Sequence, residues 1–197
     1  MGTRERKKAV MRQALVDAAA RLFAARGVDA TTMDDIAAAA GTSRTSVFNY
    51  FGHKEMLLCE IGARYVRELA EDARIARITS PRARMKAMTD VVAEFAVREP
   101  VLVAAVAREM THPDPERRRT ASETMRYGDV VESALDSLAR IGRLRHPRRR
   151  ASYARMMIDM LAGAVVRAGG DFPVEQLRDE LHRNVDLLLD GALAPDG

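Results

Sequence analysis

Apolar residues recur along this chain at intervals of three and four, which predicts helices from end to end and no strands. Ala14, Leu15, Ala18, Ala19, Leu22 and Phe23 form the stripe of a first helix over about 8–26, closed by Gly27. Met33, Ile36, Ala37 and Ala40 share one face of a short second helix, and Val47 and Phe51 share the inner face of a third. Met56, Leu57, Ile61, Tyr65, Leu69 and Ala73 mark a long helix over 54–78. At about 1.5 Å per residue it would span roughly 35 Å. All seven prolines fall between or beyond periodic stretches, where a missing amide donor is tolerated. They leave helices over about 82–98, 100–110, 116–142, 148–168 and 173–193. The expectation is an all-α chain of about nine helices, with a three-helix unit in residues 1–54 and a larger helical domain in 55–197.

The last two stripes are the widest. Tyr153, Met156, Met157, Met160, Leu161, Ala164 and Val165 make one face, and Leu177, Leu181, Val185 and Leu188 make another. Two such helices have apolar area to spare after packing on one side. A matching pair from a second copy would complete a four-helix bundle, so these residues are the predicted dimer interface.

Polar positions single out residues 32–57. Thr32 with Asp35 three residues later fits a capping box, Gly41 suits a left-handed helix end, and Ser43 is placed to cap the next helix. A helix of about two turns does not hold itself together in water and must be propped by its neighbours. With Val47 and Phe51 turned inward, Arg44, Thr45 and Asn49 point outward. No acid occurs between Asp35 and Glu55, so this surface offers Arg44, Thr45, Ser46, Asn49, Tyr50, His53 and Lys54 as hydrogen-bond donors. A short donor-rich helix set by a glycine turn against another helix is the helix-turn-helix design. An ordinary helical hairpin with a polar face has the same caps.

Charge favours the first of these. The net charge is +4. Through Lys54 there are nine basic and five acidic residues, so the whole excess lies in the first quarter of the chain. Residues 1–8 carry Arg4, Arg6, Lys7 and Lys8 and read as a basic arm, either frayed or lying against phosphates. A single cysteine, Cys59, excludes an internal disulfide. The start has no apolar signal core, and no stretch approaches the roughly 20 apolar residues of a membrane span, which predicts a cytoplasmic protein with no membrane partner.

At residues 32–57 the chain resembles the N-terminal domain of TetR-family transcriptional regulators. The matching positions are Thr32, Ile36, Ala37, Ala40, Gly41, Ser43, Ser46, Val47, Phe48, Tyr50, Phe51, Lys54, Glu55 and Leu57. The resemblance is firm over about residues 8–60 and beyond that follows helix count and length. It implies phosphate contacts from Tyr50 and Lys54, with Thr32 and Ser46 adding hydroxyl or amide contacts. Phe48 stands where many relatives have tyrosine, so one phosphate hydrogen bond is lost or replaced by packing. Arg44 can pair with guanine, Thr45 can contact a thymine methyl, and Asn49 can read adenine or hold a phosphate. Ser43 completes the predicted DNA-binding set as the cap.

The resemblance also implies a homodimer on a palindromic operator and a small-molecule effector in the C-terminal domain, whose binding releases DNA. Candidate lining residues are Met88, Val92, Phe95, Met110, Met125 and Met160, with Met85 and Val103 beside them. Methionine adapts to irregular apolar ligands, though it also fills cores. Tyr127, Asp129 and Asp159 are candidate polar contacts. The basic runs Arg117–Arg119 and Arg143–Arg150 would attract an anion or lie solvated at helix ends.

An enzyme is the main rival reading. His53, His112, His146 and His182 are far apart and lack the paired spacing of a metal site, and no phosphate loop or nucleophile motif occurs. No cofactor, catalytic residue or metal ligand is therefore predicted. A helical protein-binding adaptor is the second rival, and the N-terminal concentration of charge speaks against it.

Overall fold

A computed structural model of the chain describes residues 2–140, 143–169 and 173–193, the side chain of Ser137 apart. Among them are eleven α-helices: α1 Thr3–Arg26, α2 Met33–Ala39, α3 Arg44–Tyr50, α4 Lys54–Glu71, α5 Ala73–Ala76, α6 Pro81–Arg98, α7 Pro100–Met110, α8 Pro115–Met125, α9 Tyr127–Arg140, α10 Arg150–Ala168 and α11 Val174–Ala192. A 3₁₀ turn, Pro147–Arg149, precedes α10, and an isolated bridge joins Leu144 to Leu193. The fold is all-α, with a helix-turn-helix at the N-terminus and a larger helical domain after it.

Three predicted boundaries are corrected. The basic arm is the opening of α1: Glu5 accepts from the Gly2 amide at 3.1 Å, and the Arg6 amide reaches the Gly2 carbonyl at 3.1 Å. The long fourth helix stops at Glu71, because Asp72 leaves the helical conformation and caps α5 by accepting from the Arg74 amide at 2.8 Å. Its 18 residues span about 27 Å at 1.5 Å per residue. The predicted helix over 116–142 is two, α8 and α9, divided at Arg126, which takes a left-handed φ of 55°. That conformation disfavours a side chain, so composition does not announce it.

The apolar core is continuous from Leu15 to Ala192. Leu15, Phe23, Ile36, Val47, Leu57 and Ile61, all fully buried, join α1, α2 and α3 to the first half of α4. In the larger domain α11 packs on α6 and α10, and α10 packs on α7 and α9. A polar seam lines α6 against α11. Arg82 and Lys86 pair with Asp186, Arg82 also reaches Asp190, and Asp90 holds His182 at 2.8 Å and Arg178 at 3.2 Å. Partly exposed pairs of this kind contribute little stability and serve mainly to orient.

This packing corrects most of the predicted dimer set. Met157, Leu161, Ala164, Val165, Leu177, Leu181, Val185 and Leu188 are buried within the single chain. Their stripes face α6, α7 and α9, so they have no surface to offer a second copy. What α10 and α11 leave outward is Tyr153 and Met160, half-buried, with Met156 52% and Leu187 68% exposed.

Candidate nucleic-acid interface and ligand cavity

The N-terminal site is built from caps. Thr32 Oγ1 accepts from the Asp35 amide at 3.2 Å, and Asp35 Oδ2 accepts from the Thr32 amide at 2.9 Å and hydroxyl at 2.7 Å. These bonds, with a further one from Arg26, pull the Asp35 carboxyl down to about 2. Gly41 turns the chain with φ 67°, and the Thr42 amide closes the end of α2 on the Ala37 carbonyl at 3.0 Å. Ser43 Oγ then accepts from the Ser46 amide at 3.1 Å to start α3. Val47, fully buried, and Phe51, 2% exposed, anchor its inner face, with the Arg12 guanidinium 4.5 Å above the Phe51 ring.

The outer face of α3 carries Ser43, Arg44, Thr45 and Asn49, all exposed, with Ser46 and Tyr50 half-buried beside them. Arg44 Nη1 rests on Asp34 at 2.7 Å, and its guanidinium lies 5.4 Å over the ring of Phe48, itself 41% exposed. An exposed ion pair is weak, so Arg44 can leave Asp34 for a stronger partner. Lys54 is placed differently from its predicted role. Its ammonium donates to the carbonyls of Val28 at 2.8 Å, Asp29 at 3.3 Å and Thr31 at 3.3 Å. An ammonium has three donors, and these carbonyls occupy them. Lys54 therefore ties the start of α4 to the α1–α2 loop rather than reaching outward. The Thr32 hydroxyl is likewise spent on Asp35.

Within the larger domain, α4, α6, α7, α8, α9 and α10 enclose a carbon-lined cavity. Its open volume, the mouth included, is about 550 Å3. Val92, Phe95, Val103, Met110, Met125 and Tyr127 line it as predicted. Burial alone raises the Tyr127 phenol above its ordinary range, and no group among the described residues bonds its hydroxyl. Three predicted lining residues lie elsewhere. Met88 packs into the core one turn earlier on α6, and Met160 lies toward α11, where Asn184 reaches its carbonyl. Asp129 faces solvent and pairs with Arg126. Met85 is also core, and Asp159 borders a different, open depression.

The remaining wall residues come from α4, α7 and α10: Tyr65, Leu69, Leu161 and Val165, whose periodicity marked a helix face but not a cavity, and Gly62, Val66, Val106, Ala107, Ile158 and Ala162, which it did not single out. Gly62 was the available signal. A glycine inside an apolar helical stripe marks a close approach, and a β-carbon there would lie 2.7 Å from Met125 Sδ and 3.0 Å from Val106 Cγ1. Tyr65 stacks on Phe95 at 5.0 Å and donates from its hydroxyl to Glu99.

Between interface and cavity lies a charged joint. Arg117 Nη2 pairs with Glu109, 8% exposed, at 2.5 Å and stands 4.0 Å from Glu55, which also holds His53 at 3.0 Å. Partial burial works against the Glu55 carboxylate, yet the backbone amide at the start of α4, His53 and Arg117 together hold it below its ordinary range. The nearby Cys59 thiol is pushed up to about 12 by burial and by Glu109. The run Arg117–Arg119 is thus spent locally, since Arg118 donates to the His112 carbonyl and Arg119 pairs with Glu116. In the second run Arg145 bonds the Leu193 carbonyl, Arg150 pairs with Asp136, and Arg148 and Arg149 are exposed. Among the described residues no group of three His, Cys, Asp or Glu is placed to hold a metal ion, and no helix is long and apolar enough to cross a membrane.

Comparison with known proteins matches both halves. Residues 15–61 fit the family model for bacterial regulatory proteins of the tetR family, and residues 63–191 fit the C-terminal domain of TetR/AcrR family transcriptional repressors. The chain is similar to the FadR repressor of Thermus thermophilus, whose crystal structure is in complex with lauroyl-CoA. Identity is 32%, coverage 94% of this chain and 97% of that one, and the TM-score 0.81. It is 40% identical to the transcriptional regulator BetI of Agrobacterium fabrum over 96 residues, 48% of this chain and 47% of that one. To the repressor AcnR of Corynebacterium diphtheriae it is 27% identical over 180 residues, 90% and 88% of the two chains. The match to BetI spans about half of that relative's length.

Proposed function

This chain belongs to the TetR family of transcriptional regulators, and from that premise we propose that it is a homodimeric repressor released from a palindromic operator by a small acyl or apolar effector. The observation that carries the reading is the outer face of α3. Arg44, Thr45 and Asn49 stand exposed on a helix whose opposite side is buried. Arg44 pairs with the guanine O6 and N7 edge, Thr45 meets a thymine methyl, and Asn49 reads adenine or holds a phosphate. Tyr50, Ser46 and the Ser43 turn lie against the backbone. Lys54 and Thr32 act by positioning, because their polar atoms are already engaged.

A second copy meets the outward strip of α10 and α11 through Tyr153, Met156, Met160 and Leu187. Two exposed large apolar side chains on neighbouring helices support this face. The dimer sets two α3 helices in successive major grooves, about 34 Å apart or a multiple of that.

The carbon-lined cavity is the effector site, and the lauroyl-CoA held by the Thermus relative supports an acyl occupant. α4 is the connection. It contributes Gly62, Tyr65, Val66 and Leu69 to the wall, and Lys54 at its other end holds the α1–α2 loop. A ligand shifts the spacing of the reading heads only if it favours one arrangement over the other. The test is a selection of bound oligonucleotides, followed by mobility shift on the recovered site with and without acyl compounds. Recovery of a palindrome that those compounds release is expected. Failure to enrich any sequence would sink the regulator reading, and a monomer in sedimentation at micromolar concentration would sink the dimer.

A further inference from the structure

We propose that Arg118 and Arg155 hold an anionic head group at the cavity rim, so that the occupant is an amphiphile with its apolar chain inside. The inference rests on reading the cavity as the effector site. Three adjoining spaces carry it. The main cavity is carbon-lined, which suits an apolar chain. A smaller chamber shares Met110, Met125, Tyr127 and Ile158 with it and has Arg155 on its own wall. Arg155 also lines an open polar depression together with Thr111, Arg118 and Asp159. Shared lining residues therefore set the carbon interior, the Tyr127 side chain and two guanidinium groups in succession toward the surface.

The charge at the rim selects the head. Arg118 Nη1 donates to the His112 carbonyl at 2.6 Å and pairs with no carboxylate among the described residues. Arg155 holds Asp159 through Nε at 3.1 Å and Nη2 at 3.0 Å, an exposed pair one helical turn apart that contributes little. Two guanidinium groups against one carboxylate leave a positive excess, and the planar fork of each matches the paired oxygens of a carboxylate or phosphate. A neutral head would leave Arg118 unanswered. The same anionic oxygen comes from two sources, the carboxylate of a free fatty acid or the phosphates of an acyl-coenzyme A thioester.

Calorimetric titration of the full chain with dodecanoate, dodecanoyl-coenzyme A and dodecanol tests this. At least one anionic probe should bind about tenfold tighter than dodecanol, and which one does identifies the source. Arg118→Gln with Arg155→Gln should weaken that probe by about tenfold and leave dodecanol unchanged. Asp159→Asn should tighten it, a gain that loss of folding cannot imitate. Equal binding of charged and neutral probes, or arginine variants that bind as the parent does, would overturn the head-group site while leaving the cavity as an effector site. Binding of no probe would remove both.

Discussion

The two regions joined by α4 are built on opposite chemistry. The reading head, α1 to α3, keeps a small apolar interior of Phe23, Ile36, Val47 and Phe51 and hangs its geometry on polar caps. The larger helical domain does the reverse. Its largest apolar space is carbon-lined, with walls from six helices, and charged pairs such as Arg117–Glu109 lie outside that lining. The contrast separates two ways of fixing a site. Caps join residues two to four apart, so the head is specified locally. The cavity is what remains when segments some hundred residues apart pack imperfectly, so it is specified globally.

The largest expected effect breaks the larger domain alone. Leu181→Ala in its fully buried core should cost about 2–5 kcal/mol in urea unfolding, while the folded fraction keeps its operator preference. Arg44→Ala should do the converse. It should lose about 1–3 kcal/mol of discrimination at one base pair and change stability by no more than about 0.5 kcal/mol. Equal losses on operator and random DNA would remove Arg44 from base reading.

Lys54→Met tests whether the junction belongs to the head's scaffold or to its DNA surface. With the ammonium on three carbonyls, stability should fall by about 1–2 kcal/mol, and DNA binding should weaken on every sequence at unchanged salt slope. A slope lowered by about one would return Lys54 to the phosphates. Ser43→Ala should cost about 1 kcal/mol through the lost cap, read as a lower melting temperature.

The smallest effect is one of pH. The folded Asp35 carboxyl lies near 2 against an ordinary value of 3.8. Its stabilisation is therefore complete above the ordinary value and lost as pH falls toward 2. Thr32→Ala, which removes the hydroxyl bond, should raise that titration midpoint in an NMR experiment. An unmoved midpoint would mean that Arg26 rather than the cap sets it.

Much of the head was legible in the chain, and for one reason. The Thr32–Asp35 box, the Gly41 turn, the Ser43 cap and the inward pair Val47 and Phe51 all follow from spacings of a few residues, and the structure places each of them accordingly. The all-α class and most helix ends followed from periodicity and proline. What periodicity cannot tell is which neighbour an apolar stripe faces. Leu161 and Val165 read equally well as interface, core or cavity wall, and only the packing of α10 on α7 and α9, which leaves a space toward α4, made them wall. The ammonium of Lys54, turned onto the carbonyls of the α1–α2 loop, was decided in the same way. Both depend on contacts between distant segments, whose free energies outweigh the local preference a sequence pattern records.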